Sequence, residues 1–174
     1  MKTVLINQPG RTGDIIICLP IAEWYHNLGM KVDWLCPKQY HPVFRNIDYC
    51  TPIEEVKQDY NQTLDLSFGL VKNTTVDKWW EATKHGWRSF VNAKYHLAEV
   101  PVKRRWNLSW NRNLEREDLL FQKIKASVGK DFAVVQDRTH NFKACIVVKN
   151  KVEFYPVEDY NIFDWFGVLT AAKE

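Results

Sequence analysis

The sequence predicts an α/β protein with a parallel sheet, and three features of its 174 residues indicate that fold. A short apolar strand, Thr3 to Asn7, leads through a glycine-containing turn, Gln8 to Gly13, into an apolar helix. A second strand follows at Lys31 to Cys36, which makes a β–α–β unit with parallel strands and a right-handed crossover. Strands and helices then continue to alternate, which is typical of a Rossmann-like sheet.

The remaining elements of the first part follow from periodicity and from helix end signals. The first helix is predicted from Asp14 to Leu28, because apolar residues recur at helical spacing and Gly29 is a good C-cap. Further along we predict a short helix at Tyr40 to Asn46 and strands at Tyr49 to Ile53 and Thr63 to Phe68. A long helix is predicted from Asp77 to Ala98, with Asp77 as its N-cap. The apolar stripe of this helix includes Trp80, Trp87, Val91 and Ala98.

A linker is predicted at Val102 to Asn113, which is basic, aromatic and short of apolar periodicity. It divides the chain into residues 1–108 and 109–174. In the second part we predict a helix at Leu114 to Val128, and its apolar face carries Leu119, Leu120, Ile124 and Val128. Strands are predicted at Phe132 to Gln136, Ala144 to Val148 and Val152 to Tyr155. A last helix is predicted at Ile162 to Ala172, with Asn161 as its N-cap.

The composition excludes several classes of protein. Apolar residues make up 45% of the chain and charged residues 26%, which is typical of a globular protein rather than a disordered one. The net charge is only +3, and only Lys103-Arg104-Arg105 forms a basic cluster, so no nucleic-acid partner is expected. We interpret the cluster as a solvated linker, with a peripheral contact to anionic lipid or nucleic acid as the weaker alternative.

The cysteines and the N-terminus predict a reduced, cytoplasmic protein. Four cysteines (Cys18, Cys36, Cys50 and Cys145) form no C-x-x-C pair and have no histidine at ligand spacing, so neither a metal site nor a disulfide framework is expected, and no cofactor is implied. No signal peptide precedes the first strand, and the longest apolar run, Ile15 to Ala22, is too short to span a bilayer.

The turn between the first strand and the first helix is the strongest functional signal. A strand that leads into a helix through a glycine turn favours an anion or nucleotide site. A phosphate cradle usually avoids a fixed negative charge, so Asp14 at this position suggests a carboxylate that faces a polar substrate and accepts a proton. The plainer interpretation, an acid that only stabilises the first helical turn, stays open on spacing alone.

Three segments carry a resemblance to a known family. Gly13-Asp14 followed by Pro20, the strand Val32-Asp-Trp-Leu35, and the helix Phe163 to Lys173 resemble the glycosyltransferase family that includes the bacterial lipopolysaccharide heptosyltransferases of the ADP-heptose type. The resemblance is spread over most of the chain, and only the opening motif is fairly specific.

The resemblance implies a GT-B architecture, in which two Rossmann-like domains hold the acceptor and the nucleotide sugar. It therefore implies inverting transfer of a sugar from a nucleotide-sugar donor to a hydroxyl of a glycan or lipid-linked acceptor, with Asp14 as the base. In the family a further strand and an Asp-Ser/Thr-Gly-type phosphate loop follow the helix that Phe163 to Lys173 resembles. The chain stops at Glu174, so an incomplete, truncated donor half is expected.

Two groups of residues are candidates for substrate contacts. Gly10, Arg11, Thr12 and Gly13 form the turn: the glycines permit positive φ and close approach of an acceptor, and Arg11 can bind an acidic group. In the second part Arg138, Thr139 and Lys143 follow a predicted strand, and polar residues at the carboxyl end of a parallel strand line the ligand crevice. They are candidates for the donor diphosphate, and a solvated loop is their alternative.

Two rival functions stay open. The early stop at Glu174 suggests a catalytically inactive remnant or binding module that keeps only the acceptor half, so activity of this chain alone is undecided. A nucleotide-binding enzyme such as a dehydrogenase ranks last, because the turn lacks G-x-G-x-x-G and Cys36-Pro37 stands where an acid should end the second strand.

Overall fold

The chain forms two compact units, Met1–Trp110 and Asn111–Glu174, called below the first and the second unit. The computed structural model describes residues 1–67, 90–136, 149–154, 157 and 159–172. The predicted cap Asp77, most of the predicted helix Asp77 to Ala98 and the predicted strand Ala144 to Val148 lie outside these residues.

The first unit contains a four-stranded parallel sheet, which confirms the predicted α/β class. The strands are β1 (Thr3–Asn7), β2 (Lys31–Leu35), β3 (Thr51–Ile53) and β4 (Gln62–Asp65). Their order in the sheet is β3-β2-β1-β4, and every neighbouring pair is parallel. Three consecutive residues of β1, Val4 to Ile6, are buried, as expected where a parallel sheet is covered on both faces.

The register brings large side chains of neighbouring strands together. Ile6 of β1 lies opposite Trp34 of β2 and Leu64 of β4, and all three are buried. The Trp34 ring is fully buried and packs at a tilt against Phe44, with ring centroids 5.4 Å apart. Phe44 belongs to a 3₁₀ helix, Lys38–Asn46, where the sequence predicted a short helix. This packing fixes the sheet whose ends carry the candidate site.

The first helix differs from its prediction, because two helices replace one. Helix α1 (Thr12–Ile16) and helix α2 (Leu19–Asn27) are separated by a turn. Pro20 lies at the start of α2, where its missing N–H costs nothing, whereas it would break a continuous helix. Because α1 begins two residues earlier than predicted, Asp14 is its third residue.

The end of α2 matches its prediction. Gly29 has a φ of +79°, which favours glycine, and its N–H donates to the His26 carbonyl at 2.8 Å. The Met30 N–H donates to the Tyr25 carbonyl at 3.2 Å, which completes a Schellman motif. The glycine therefore turns the chain from α2 into β2.

The segment predicted as a linker is partly structured. The last described helix of the first unit, α3, is described over Phe90–Leu97, and a 3₁₀ helix, Val102–Trp106, follows it after Pro101. Arg104 stacks over the ring of Trp24 on α2, with 5.0 Å between the guanidinium carbon and the ring centroid. The predicted linker segment thus contains a 3₁₀ helix, and two of its basic side chains, Arg104 and Arg105, pack on aromatic rings.

The described part of the second unit contains one long helix, a strand pair and a short helix. Helix α4 (Leu114–Val128) has its predicted bounds, and β5 (Ala133–Val135) and β6 (Lys151–Glu153) form a parallel pair. A 3₁₀ turn, Phe163–Trp165, leads into α5 (Phe166–Ala171) where a single helix was predicted. The core of this unit consists of Leu120, Ile124, Phe132, Val152, Trp165 and Val168.

Two details of the second unit correct the sequence prediction. Leu119 was placed on the buried face of α4, but it is 53% exposed, whereas Leu120 is fully buried. The strand expected at Phe132 to Gln136 is shorter and only half-buried, with Phe132 itself buried beside it. The first difference arises because a helix face of several turns tolerates a shift of one residue that its sequence pattern does not resolve.

Candidate functional site

The candidate site lies at the carboxyl ends of β1 and β4, where the order of the strands reverses. From β1 the chain builds the sheet in one direction through β2 and β3, and β4 then returns to pair with the other side of β1. Ligands of open α/β sheets bind in the crevice at such a point. Here this edge of the sheet carries the turn Gln8 to Gly13 after β1 and Leu66 and Ser67 after β4.

Gln8 joins the two strand ends. Its side chain is fully buried, and its Nε2 donates to the Leu66 carbonyl at 2.8 Å. Its Oε1 accepts a hydrogen bond from the Gly10 N–H at 3.1 Å, and its own carbonyl accepts one from Trp34 Nε1 at 3.1 Å. The first residues of the turn are therefore fixed from below by buried hydrogen bonds.

Asp65 organises the end of β4. Its Oδ1 accepts hydrogen bonds from Asn7 Nδ2 at 3.3 Å, from the Ser67 N–H at 3.1 Å and from the Ser67 hydroxyl. A carboxylate that accepts several local donors serves first to hold the backbone. We therefore assign Asp65 to the framework of the site.

Asp14 has a different environment, although it lies at the same edge. It is half-buried on α1, and among the described residues its carboxylate has neither a hydrogen-bond donor nor an ion-pair partner. The cap position of α1 is Arg11 rather than Asp14, and no side chain caps this helix. Asp14 remains an acid of the first helical turn.

The other predicted turn residues follow one another around Asp14. Arg11 is exposed, and in the described part of the chain its guanidinium has no acidic partner. Thr12 is half-buried and Gly10 is buried. A Cβ added at Gly13 would meet no atom within 4 Å, so the space beside this glycine is open. Their assignment to acceptor binding stays a prediction.

Gly10 and Gly13 do not adopt the positive φ that glycine permits. Of the described glycines, Gly29 and Gly129 have positive φ. Gly13 adopts helical geometry because α1 already begins at Thr12. What Gly13 contributes is the absence of a side chain at an open surface, rather than an unusual backbone angle.

Lys94 on α3 is a site residue that the sequence analysis missed. It is fully buried, and its Nζ donates to the Leu66 carbonyl, the same oxygen that Gln8 binds. Burial lowers the pKa of Lys94, and the nearby groups of Cys18, Asp14 and Asp65 act in the opposite direction. Lys94 stands at helical spacing between Val91 and Ala98 of the predicted apolar stripe, and a lysine in that stripe was the available signal.

Cys18 lies in the same buried region but is not a nucleophile. Burial raises the pKa of its thiol to about 12, although the charge of Lys94 and a hydrogen bond with the Gln8 side chain act to lower it. The thiol is therefore protonated at neutral pH, and it is fully buried. A cysteine-dependent reaction at this edge is unsupported.

The donor side and the metal question are limited to what the structure describes. Arg138, Thr139 and Lys143 lie outside the described residues, so their predicted role in binding a diphosphate stays a prediction. Within the described residues, no three His, Cys, Asp or Glu side chains are grouped so that they could hold a metal ion. Searched over the same residues, no helix is both long and apolar enough to cross a lipid bilayer.

Comparison with known proteins adds no assignment. The chain matches no family model, no curated protein and no solved structure.

Proposed function

We propose that the protein is a glycosyltransferase, similar to the lipopolysaccharide heptosyltransferases, in which Asp14 is the general base. It transfers a sugar with inversion from a nucleotide-sugar donor to a hydroxyl of a glycan or lipid-linked acceptor. One observation carries the proposal: a half-buried carboxylate without a partner among the described residues stands at the switch point of a parallel sheet.

The chemistry requires one proton acceptor on the acceptor side. The acceptor hydroxyl donates its proton to an Asp14 oxygen while the hydroxyl oxygen forms a bond to the anomeric carbon of the donor sugar. The bond from that carbon to the nucleoside diphosphate breaks at the same time, and the diphosphate leaves with the electron pair. A carboxylate already bound to protein donors would serve this role less well, which distinguishes Asp14 from Asp65.

The turn Gln8 to Gly13 provides the binding surface for the acceptor. The open space beside Gly13 admits a bulky sugar close to the backbone, and the exposed Arg11 is suited to an acidic group such as a phosphate or carboxylate. Thr12 offers a hydroxyl as donor and acceptor between them. Buried hydrogen bonds of the Gln8 side chain hold the start of this turn in place, so the acceptor-binding surface is preorganised.

The donor side of the proposal rests on the resemblance. It assigns the second unit to the nucleotide sugar in a GT-B arrangement, and it assigns Arg138, Thr139 and Lys143 to the diphosphate. A cytoplasmic location belongs to the same proposal, and it is supported by the three described cysteines, Cys18, Cys36 and Cys50, which are free thiols.

A transfer assay tests the proposal. The protein is incubated with a panel of nucleotide sugars and with lipopolysaccharide core oligosaccharides, and mass spectrometry detects an acceptor that has gained one sugar. We expect transfer by the wild type and a rate lowered about 100-fold or more in Asp14→Asn, the low end of what a general base contributes. Asp59→Asn is the matched control, because Asp59 is an exposed acid of the same unit.

Two results would count against the proposal in different ways. Transfer by Asp14→Asn at the wild-type rate would leave Asp14 without its assigned role. Calorimetric binding of a nucleotide sugar or an oligosaccharide, without transfer for any pair in the panel, would favour the alternative of a binding module.

A further inference from the structure

We propose that Lys94 is the positioning residue of this site: its buried ammonium fixes the glycine turn from below and supplies the counter-charge of Asp14. Because Lys94 acts here through the carboxylate assigned as the base, the inference rests on the proposed function. It extends that function by giving the switch point a second charged component, from a helix that is distant in sequence.

The first step is the hydrogen-bond chain from Lys94 to the turn. Lys94 Nζ donates to the Leu66 carbonyl, and Gln8 Nε2 donates to the same oxygen at 2.8 Å. Gln8 Oε1 in turn accepts from the Gly10 N–H at 3.1 Å. The lysine, the end of β4 and the glycine turn are therefore linked by three consecutive hydrogen bonds, all of them buried.

The second step is the charge balance around a fully buried ammonium. An ammonium that is removed from water is costly unless negative charge compensates for it. Described groups whose charge acts on Lys94 include Cys18 in the turn between α1 and α2, Asp14 on α1, and Asp65 on β4. Since the thiol of Cys18 is protonated at neutral pH, the two carboxylates contribute compensating charge.

The third step separates the two carboxylates. Asp65 is already held by hydrogen bonds from its own strand end and from Asn7. Asp14 has no such donor among the described residues, and its charge acts on Lys94. On α3, next to Lys94, the Tyr95 hydroxyl donates to the Ile17 carbonyl at 3.0 Å. Since Ile17 is the C-cap of α1, this hydrogen bond connects α3 to the helix that carries Asp14.

A lysine that only satisfies the Leu66 carbonyl would not respond to Asp14, and a titration distinguishes the two roles. Lysines are labelled with ¹³C at Cε, and the pKa of Lys94 is followed by NMR in the wild type, in Asp14→Asn and in the control Asp59→Asn. We expect the pKa of Lys94 to fall further in Asp14→Asn, by about 0.5 or more, because one compensating charge is lost. Asp59→Asn should leave it unchanged.

A second measurement examines the turn. In Lys94→Met we expect the amide signals of Gly10 and Gly13 to shift, whereas Lys38→Met, which replaces an exposed lysine of the same unit, should leave them in place. The inference is overturned if Asp14→Asn leaves the Lys94 titration unchanged, and the titration does not depend on Lys94→Met being folded. Neither measurement needs a substrate. If the transfer assay fails while the pKa of Lys94 still responds to Asp14→Asn, the proposed function is contradicted and the role of Lys94 is not.

Discussion

Buried charged groups of the two units have different partners, although in the first unit the buried Asp33 pairs with Lys31 at 3.5 Å. In the described part of the second unit both buried carboxylates are bound by an arginine: Glu117 by two nitrogens of Arg112, and Asp164 by Nε and Nη2 of Arg116. In the first unit the buried ammonium of Lys94 donates to a backbone carbonyl, while a nearby carboxylate stays without a described donor.

The pair in the second unit is a structural device. Asp164 is fully buried, and besides Arg116 its Oδ2 accepts a hydrogen bond from the Asn161 N–H at 2.9 Å. Asn161 Oδ1 reciprocates, accepting from the N–H groups of Phe163 at 2.8 Å and Asp164 at 3.2 Å. This arrangement is a reciprocal capping box, and both oxygens of the Asp164 carboxylate accept hydrogen bonds within the protein.

The difference suggests how a functional charge can be told from a structural one. A carboxylate saturated by donors of its own chain stabilises the fold and has little capacity left for a substrate. Asp14 keeps that capacity, because the lysine nearby provides charge without occupying its oxygens with a described hydrogen bond. Each prediction below tests or sharpens this contrast.

The largest effect is expected from Asp164→Ala. It leaves Arg116 without its carboxylate and removes half of the capping box, so we expect the free energy of unfolding of the second unit to fall by about 3 kcal/mol. Urea denaturation measures the loss. Asp118→Ala on α4, an exposed acid hydrogen-bonded only to Gln122 among the described residues, should cost less than about 0.5 kcal/mol. Equal losses would remove the distinction between the two acids.

Alkaline pH should destabilise the first unit selectively. Burial raises the pKa of Cys18 and that of Cys36 to about 12, from an ordinary 9.0, so both thiols hold their proton in the folded state after the unfolded chain has lost it. The stabilisation is complete below pH 9 and is lost as the pH rises toward 12. For Cys18 we expect a loss of roughly 2 kcal/mol by pH 10.5.

Hydrogen exchange at pH 8 and pH 10.5 locates this effect. Faster exchange in β1 and β2, with little change in α4, is the expected result, and Cys18→Ala should reduce it. Lys94 acts with the opposite sign, since its lowered pKa adds stability as the pH rises. An equal response of α4 would contradict the assignment to the first unit.

A smaller effect separates Gly13, which lies within α1, from Gly29, which follows α2. Gly29→Ala should cost about 1 kcal/mol, because alanine is strained at a φ of +79°. Gly13→Ala should cost less than about 0.5 kcal/mol, since its backbone is helical and the added methyl group meets no atom. Thermal melts compare the two variants. If Gly13→Ala also weakens binding of an oligosaccharide, the open space beside Gly13 is part of the acceptor-binding surface.

The sequence predicted those elements whose signals are local. β1 and α4 have their predicted bounds, and Gly29 ends α2 as expected, because strand composition, an N-cap and a glycine C-cap act within a few residues. Asn161 also caps the last helical segment as predicted, through its Oδ1.

Features set by tertiary packing were beyond reach. No local signal says that β4 pairs beside β1, and this pairing creates the switch point. Nor does a pattern of period 3.6 decide between Leu119 and Leu120, or show which group a lysine within the apolar stripe binds. Asp14 could be identified as a candidate from its motif, but the absence of a described partner is a property of the fold.

The most direct test of the contrast is carbodiimide labelling of the native protein, with the rate at each carboxylate measured by peptide mass spectrometry. We predict that Asp59, which is exposed, reacts fastest, that half-buried Asp14 reacts at an intermediate rate, and that Asp164 is protected until the chain is unfolded. Labelling of Asp14 that is no faster than that of Asp164 would mean that its oxygens are closed to reagents, and it would contradict the role proposed for this carboxylate.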